Sequence, residues 1–393
     1  MVKVDLQDTI AAISTPLGEG GIGIVRLSGQ GALSIADKMF VSRDGEKPSE
    51  YRTYTTHYGS VAENGEAIDE VLLTVMRSPK SYTKEDIVEI NCHSGIVPLK
   101  RILGLALRLG ARLAEPGEFT KRAFLNGRID LTQAEAVLDI IWSKTKRGLD
   151  SALTHLSGRL SESIAGIKDD ILDLKARIEA SLDFSEEGLV EYDPEDFSGR
   201  LLSVRQKIKG LIDTSKEGRI VRDGITCVIC GKPNVGKSSL MNTLLGEQRV
   251  IVTHIPGTTR DAIEEFVNID GIPIRLVDTA GIAPTPDVLE REGMRRSRLC
   301  LDRADMVLFM MDAQTGISDA DKEIIELIKG KEVIAVLNKT DLNAGSNITE
   351  ALMEGLFSKS VSLVRISVLK ETGLDSLKKT VCDMIWKGKV APG

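Results

Sequence analysis

The sequence is poor in cysteine and has no long apolar segment. Five cysteines in 393 residues are too few for a disulfide framework. No apolar run is long enough to span a bilayer, and the first residues do not form a signal peptide. These absences predict a cytoplasmic protein that makes no membrane contact. The net charge of −7 excludes a globally basic surface, so any RNA contact would be local or shared with a partner.

Two of the cysteines, Cys227 and Cys230, have the spacing of a redox or zinc motif. No second pair accompanies them, and side chains three positions apart on a strand point to opposite faces. We therefore predict that both cysteines are buried core residues.

A phosphate-binding loop is the most specific motif of the chain. Residues 231–238 match the pattern G-x-x-x-x-G-K-[ST] between an apolar run at 225–230 and a helix-forming segment at 239–245. A strand, a glycine-rich turn and a helix start together present backbone N–H groups to one anion. In such a loop Lys237 would contact the β- and γ-phosphates, and Ser238 would hold Mg²⁺. The segment therefore predicts a nucleoside triphosphate site.

Two further motifs select guanine and complete the phosphate site. In residues 338–341, Asp341 can accept hydrogen bonds from the ring N–H and the exocyclic amine of guanine, and adenine offers neither donor there. In residues 278–281, Asp278 can support Mg²⁺ through water, and the Gly281 N–H can face the γ-phosphate. Three motifs in this order, each after an apolar run, predict a GTPase domain.

The first 120 residues have a mixed α/β pattern. Strand candidates lie at 9–13, 22–27, 71–75 and 87–90, and a helix is predicted over 95–110. Residues 18–23 match G-x-G-x-x-G, but a strand-like run follows them where a phosphate site needs a helix. We interpret them as a glycine-rich turn.

Long helices are predicted from residue 119 to 182, and no proline occurs between Pro116 and Pro194. Apolar residues recur at spacings of three and four, first over 149–182 and then over 197–211. The acidic segment 193–196 suits a helix start between these two seams. Stripes of this kind indicate a helical bundle and need further helices to cover them.

These stretches resemble the MnmE (TrmE, ThdF) family of tRNA modification GTPases over essentially the whole chain. The segments that carry the resemblance are 8–12, 20–29, 116–128, 130–136, 231–240 and 255–261. The resemblance implies a multi-domain α/β protein. Its expected parts are an N-terminal α+β folate-binding and dimerisation domain at 1–120, an α-helical bundle at 121–217, a P-loop α/β GTPase domain with a mostly parallel sheet at 218–386, and a tail at 387–393.

The resemblance also implies an enzyme, a GTP hydrolase activated by potassium that works with MnmG in a heterotetramer. Together they would add a 5-carboxymethylaminomethyl or aminomethyl group to the wobble uridine of certain tRNAs. The one-carbon donor would be 5-formyltetrahydrofolate or methylenetetrahydrofolate, bound by Arg26, Glu89 and Arg128. Arginines suit the glutamate carboxylates of a folate, and a carboxylate suits its pterin edge. A homodimer through the N-terminal domain is implied as well.

By the same resemblance, the GTPase residues take specific roles. GTP or GDP would contact Asn234, Val235, Gly236, Lys237, Ser238, Ser239, Thr253, His254, Ile255, Pro256, Gly257, Thr258, Thr259, Asp278, Thr279, Ala280, Gly281, Asn338, Lys339, Asp341, Ser367, Val368 and Leu369. Mg²⁺ would be held by Ser238 and Thr259. Oxygens of Asn234, Thr253, Ile255 and Thr258 would cage K⁺ where other GTPases use an arginine finger. Glu290 would orient the attacking water, and the cage would be completed when two GTPase domains meet.

Four positions or segments depart from the family pattern. Val368 and Leu369 stand where a Ser-Ala-Lys guanine loop is usual, Lys84 replaces a usual glycine, and Ala283 stands where arginine is frequent. A last helical segment ending in Cys-Ile-Gly-Lys is missing, and Cys382 is not its equivalent. We therefore expect a C-terminally truncated family member.

Two alternatives to a tRNA-modifying enzyme stay open. A GTPase switch in ribosome assembly would have a similar GTPase domain but would lack the set Arg26, Glu89 and Arg128. A truncated nucleotide-binding form would keep the phosphate loop and have no modification activity.

Overall fold

The structure is a computed structural model that describes residues 8–18, 20–183, 194–248, 265–278, 300–342, 347–388 and 390. The described residues divide into two compact units, the first up to Val137 and the second from Leu138 onward. Each unit contains a β-sheet with its own buried core, which confirms the predicted multi-domain α/β class. The predicted domain limits at 120, 217 and 386 remain predictions.

The first unit is built around a mixed sheet. Its elements are β1 (Ile10–Ile13), β2 (Gly23–Ser28), α1 (Ala32–Met39), β3 (Phe40–Ser42), β4 (Thr55–Glu63), β5 (Glu66–Met76), β6 (Ile87–Cys92), α2 (Ile96–Arg108), β7 (Arg112–Leu113), α3 (Glu118–Leu125) and the start of α4 (Leu131–Trp142). The strand order is β3-β4-β5-β6-β2-β1-β7, and only the short pair β1–β7 is parallel.

The sheet of the first unit has one buried face. Along β5, Val71, Leu73 and Val75 are buried with residues of α1 and α2, whereas Leu72 between them is exposed. This alternation follows from the two-residue period of a strand. The four predicted strands and the helix predicted over 95–110 are confirmed. The elements α1, β3, β4 and β7 were not predicted from the sequence, because α1, β3 and β7 are short and β4 is rich in polar residues.

The second unit joins a helical segment to an open sheet. Its elements are the end of α4, α5 (Lys146–Leu156), α6 (Arg159–Asp183), α7 (Pro194–Asp223), β8 (Ile225–Gly231), α8 (Lys237–Gln248), β9 (Glu265–Ile269), β10 (Ile272–Asp278), β11 (Met306–Asp312), α9 (Asp319–Ile328), β12 (Glu332–Asn338), α10 (Glu350–Phe357), β13 (Ser362–Arg365) and α11 (Leu374–Trp386). The strand order is β13-β12-β11-β8-β10-β9, and all pairs are parallel except β9–β10. The predicted mostly parallel sheet is thereby confirmed.

Both faces of this sheet are buried, as expected for a parallel sheet covered by helices. Cys227 and Cys230 on β8 lie in the two different core clusters, which confirms their prediction as core residues. Burial raises the pKa of Cys230 to about 12 and also raises the pKa of Cys227. Neither thiol is therefore prepared for thiolate chemistry.

The helical segment packs on itself and on the sheet. Leu174 of α6 is buried with Phe197 and Val204 of α7, so the two apolar seams contact each other. At the start of α5, Thr145 Oγ1 accepts a hydrogen bond from Gly148 N and donates one to the Gly271 carbonyl in the β9–β10 turn, over 3.1 and 2.9 Å. Among the described helices, none combines the length and the apolar character needed to cross a membrane.

Candidate functional site

The phosphate loop lies between β8 and α8, and positive φ angles together with close packing decide where it needs glycine. Gly231 has φ +147°, and a Cβ atom there would lie 2.3 Å from the Met310 carbonyl oxygen. Gly236 has φ +102°, and a Cβ atom there would lie 2.4 Å from Asn338 Nδ2. Both distances are below van der Waals contact, so the two glycines of the motif are required by the fold before any ligand is considered.

The two polar residues that end the motif lie where the sequence predicts them. Lys237 is buried, and its Nζ donates hydrogen bonds to the carbonyls of Gly231 and Lys232 over 2.9 and 2.8 Å. Burial lowers the pKa of the Lys237 ammonium, although the Asp278 carboxylate acts against this change. Ser238 Oγ donates a hydrogen bond to Asp278 Oδ2 over 2.8 Å. The fold thus brings the first residue of the segment 278–281 to the phosphate loop.

The predicted guanine residues form a second group at the same sheet edge. Asn338 Nδ2 donates to the Val235 carbonyl over 2.8 Å, and Asn338 Oδ1 accepts from the Val368 N–H over 3.1 Å. Ser367 Oγ donates to Asp341 Oδ1 over 2.6 Å. Asn338 therefore ties the phosphate loop to the segment 367–369, while Ser367 orients the exposed carboxylate expected to bind guanine.

Val368 and Leu369, which depart from the family pattern, have different surroundings. Val368 contributes its backbone N–H to the Asn338 hydrogen bond and buries its side chain in the core, and any residue except proline could donate that N–H. Leu369 is 81% exposed. The departure at Val368 is therefore compatible with the hydrogen bond that holds the guanine motif.

Two carboxylates that form ion pairs with lysines of the site were not predicted from the sequence. Asp312 Oδ2 accepts from Lys339 Nζ over 2.7 Å, and the fully buried Asp321 forms an ion pair with Lys232 Nζ over 2.7 Å. Burial opposes ionisation of Asp312, but the hydrogen bonds from Lys339 and the Gln314 N–H outweigh it and lower the Asp312 pKa. A signal was present at Asp312, which directly follows the apolar run 306–311.

Several predicted site residues lie outside the described residues. They are Thr253, His254, Ile255, Pro256, Gly257, Thr258, Thr259, Thr279, Ala280, Gly281 and Glu290. Of the potassium set only Asn234 is described; its backbone has φ +65°, and its side chain is exposed. Val235 is buried and Ser239 is exposed at the start of α8. The water-orienting glutamate and most of the potassium cage thus remain predictions.

In the first unit, two of the three predicted folate residues contact each other. Arg26 and Glu89 are directly opposite on β2 and β6, and Arg26 Nε donates to Glu89 Oε1 over 2.7 Å. The Arg26 guanidinium lies over the Phe119 ring, 5.5 Å from its centroid. The third residue, Arg128, follows α3 and belongs to a different contact, described below.

Arg128 lies over the ring of Tyr82, with its Cζ 4.8 Å from the centroid. The Tyr82 hydroxyl is 2.9 Å from the hydroxyl of Thr120, the residue that follows Phe119 on α3. The first turn of α3 therefore touches the surroundings of both arginines. The aromatic rings were not predicted from the sequence, because their contacts join segments far apart in the chain.

A buried ion network anchors α3. Arg122 is fully buried and contacts the carboxylates of Asp8, Glu85 and Glu118; Arg112 pairs with Glu118 over 2.6 Å. Burial alone would raise the pKa of Glu118, but hydrogen bonds from Arg112, the backbone of Glu115 and Arg122 lower it to about 2. Charged groups this deep are tolerated because each is paired.

Comparison with known proteins matches both units. The family model "GTP-binding protein TrmE N-terminus" matches residues 9–128, and "MnmE helical domain" matches residues 131–392. The tRNA modification GTPase MnmE of Alkaliphilus oremlandii (strain OhILAs) is 48% identical over 385 residues, which are 98% of this chain and 83% of that protein.

The chain belongs to the MnmE family.

A second MnmE, from Bacillus velezensis, is 47% identical over 395 residues and covers 98% of this chain and 84% of its own length. Among solved structures, Aquifex aeolicus Era bound to GDP.AlF4- is 37% identical and covers 43% of this chain and 57% of that one, with a TM-score of 0.34. The resemblance inferred from the sequence motifs is confirmed by the family matches. As an MnmE-family member the chain is a GTP hydrolase, in agreement with the three predicted GTPase motifs.

Proposed function

We propose that this MnmE-family GTPase, together with MnmG, adds a 5-carboxymethylaminomethyl or aminomethyl group to the wobble uridine of certain tRNAs with a one-carbon tetrahydrofolate. The proposal is carried by the presence of two different sets of polar residues in one chain. One is the nucleotide set around Ser238 and Asp341, and the other is the set Arg26, Glu89 and Arg128 in the first unit. A GTPase that acted only as a switch would need no second set.

Within the nucleotide set, each side chain has a distinct task. The buried Lys237 would exchange its bonds to loop carbonyls for bonds to the β- and γ-phosphates. The hydroxyl of Ser238 and the carboxylate of Asp278 are hard oxygen donors that suit Mg²⁺, which would neutralise charge on the phosphates. Asp341, oriented by Ser367, would select guanine.

Hydrolysis also needs positive charge near the bond that breaks, and K⁺ is proposed for that role. The residue after Gly281 is Ile282, so the glutamine that orients water in other GTPases is absent. We assign water orientation to Glu290 and the potassium ligands to Asn234, Thr253, Ile255 and Thr258, with Thr259 as second Mg²⁺ ligand. The exposed side chain of Asn234, within the phosphate loop, supports this assignment.

The folate assignment rests on complementary charge. Arg26 uses its Nε for Glu89, and within the described residues its two terminal nitrogens have no hydrogen-bond partner, so they could bind a glutamate carboxylate of the folate. Glu89 retains one carboxylate oxygen for the donors of a pterin edge. 5-Formyltetrahydrofolate or methylenetetrahydrofolate would be the ligand. Homodimerisation through the first unit, a heterotetramer with MnmG, tRNA as substrate and a cytoplasmic location complete the proposal.

The decisive experiment is complementation of a strain that lacks MnmE. Wobble-uridine nucleosides from the strain carrying this 393-residue chain are quantified by mass spectrometry. We expect modification with the natural chain and its loss with Ser238→Ala or with Arg128→Gln. Unmodified uridine from a chain that still binds GTP would refute the proposed activity and leave a nucleotide-binding protein. Calorimetric binding of 5-formyltetrahydrofolate separates the enzyme from a ribosome-assembly GTPase.

A further inference from the structure

Both arginines assigned to the folate lie on aromatic rings, but in the part of the chain that the structure describes only one of them has an acidic partner. Arg26 lies over Phe119 and is also paired with Glu89 over 2.7 Å. Arg128 lies over Tyr82 with its Cζ 4.8 Å from the ring centroid. Among the described residues, no carboxylate lies within ion-pair distance of the Arg128 guanidinium. The ring of Tyr82 is therefore the contact that can hold this exposed cation.

We propose that Tyr82 is a positioning residue, which orients Arg128 for the anionic part of the folate. The inference rests on the proposed function and adds to it a residue that acts through Arg128. Because Tyr82 contacts the guanidinium through its ring, and none of the described residues accepts a hydrogen bond from the Arg128 side chain, its N–H groups stay available for a carboxylate. Ring contact and ligand contact can thus exist at the same time.

Tyr82 can orient Arg128 only if its own ring is held in place. The Tyr82 hydroxyl is 2.9 Å from the hydroxyl of Thr120 on α3. The next residue, Thr83, is buried, and its carbonyl accepts from Asn126 Nδ2 over 2.7 Å. These contacts tie the loop of Tyr82 to both ends of α3, the helix that precedes Arg128.

A residue that departs from the family pattern strengthens the same connection. Lys84 has φ +59°, a conformation in which glycine is the least strained residue. Its Nζ donates to the Gly127 carbonyl over 2.8 Å, directly before Arg128. Lys84 is therefore more strained at this φ than a glycine would be, but its side chain adds a hydrogen bond to the segment that carries Arg128. One residue further, Glu85 enters the buried network of Arg122.

The expected effect follows from preorganisation. A free arginine side chain loses rotamer entropy when a ligand immobilises it, and a ring that already restricts the guanidinium removes part of that loss. The free energy of a cation–π contact at a partly exposed site corresponds to roughly a 3- to 30-fold change in the dissociation constant. Removing the ring should therefore weaken folate binding without removing any atom that contacts the ligand.

The test measures 5-formyltetrahydrofolate binding to the full chain by calorimetry. Tyr82→Leu should weaken binding roughly 3- to 30-fold, whereas Tyr82→Phe, which keeps the ring and loses the hydroxyl, should stay within about threefold of the natural chain. Tyr82→Met serves if Tyr82→Leu fails to fold. Thermal unfolding of each variant checks that the first unit is intact.

A double-mutant cycle separates positioning from general stability. If Tyr82 acts through Arg128, Tyr82→Leu should cause no further loss in a chain that already carries Arg128→Gln. Additive losses, or unchanged binding with Tyr82→Leu, would overturn the inference while the folate assignment stands. If the natural chain itself does not bind the folate, the folate assignment fails and the inference fails with it.

Discussion

Ser238 Oγ donates a hydrogen bond to Asp278 Oδ2 over 2.8 Å, although forty residues separate the two in the chain. The contact arises because β8 and β10 are parallel neighbours, with Asp278 in register with Ile229. Their carboxyl ends meet at one edge of the sheet, which is where ligands bind in open α/β folds. A hydroxyl and a carboxylate are thus paired where Mg²⁺ is expected.

Removing this hydroxyl should weaken the metal site. For Ser238→Ala we expect the Mg²⁺ concentration that gives half-maximal GTP hydrolysis to rise at least about tenfold, because one oxygen donor is lost together with its hydrogen bond to Asp278. A magnesium titration of the steady-state rate measures this. Asn242→Ala, an exposed change on the same helix α8, is the matched control. An unchanged magnesium requirement in Ser238→Ala would contradict the assignment.

Asp341 should determine which base the nucleotide site prefers. In Asp341→Asn the amide can donate to the carbonyl of xanthine but repels the donors of guanine, so we expect GDP affinity to fall at least about 100-fold while XDP affinity rises. Calorimetric titration with both nucleotides measures the exchange of preference. The exposed Asp375→Asn provides the control for loss of one surface charge. Parallel losses for GDP and XDP would instead indicate a damaged fold.

The folding stability of the first unit should depend on pH, because Glu118 titrates differently in the folded and unfolded states. Its pKa is lowered from 4.5 to about 2 in the folded state. The ionised Glu118 therefore stabilises the folded state by about 3 kcal/mol. This contribution is fully present above pH 4.5, the unfolded value, and is lost as the pH falls toward 2.

The corresponding variant is Glu118→Gln. It should lower the unfolding free energy near neutral pH by about 3 kcal/mol and flatten its acid dependence, since the amide does not titrate in this range. Urea unfolding between pH 2.5 and 7, followed by circular dichroism, measures both effects. Exposed Glu66 offers a control through Glu66→Gln. An equally steep acid dependence in Glu118→Gln would show that other carboxylates cause it.

Potassium should accelerate hydrolysis through Asn234. We expect GTP hydrolysis in K⁺ buffer to exceed the rate in Na⁺ buffer by at least about tenfold, because the larger ion fits the proposed cage and supplies charge at the breaking bond. Asn234→Ala should remove most of this difference, whereas Asn242→Ala should keep it. Equal rates in the two buffers would exclude the cage. The measurement is made over a range of protein concentrations, since dimerisation should complete the site.

Two glycines of the second unit should respond oppositely to alanine. Gly373 has φ +77°, and a Cβ atom there would lie 2.2 Å from the Arg365 carbonyl oxygen, so Gly373→Ala should destabilise the unit by about 2 kcal/mol or more. Gly355 lies exposed in α10 with open space around it, so Gly355→Ala should stabilise by about 0.5–1 kcal/mol. Thermal unfolding compares the two. Similar shifts for both variants would contradict the backbone argument.

The nucleotide site contains residues that could be predicted from the sequence and residues that could not. Residues 231–238 were predictable because a phosphate loop is contiguous, and the apolar run before it became β8. Asp312 was missed because it meets Lys339 only when β11 and β12 lie side by side. The pair Lys232–Asp321 was missed because Asp321 lies on α9 and meets Lys232 only in the folded unit. The polar strand β4, nine residues long, was missed for a related reason. Its pairing with β5, and not its own composition, makes it a strand.

The sequence by itself determined the chemistry of the nucleotide site, because backbone N–H groups, a lysine and a hydroxyl in one short segment need no distant partner to be recognised. It also located three strands of the second sheet, through the apolar runs that precede the three GTPase motifs. Only the tertiary structure decided that Arg122 is fully buried among carboxylates, that Ser367 orients Asp341, and that Arg128 lies on Tyr82. These contacts join residues from separate segments, and burial and pairing of a charge are properties of the packed chain.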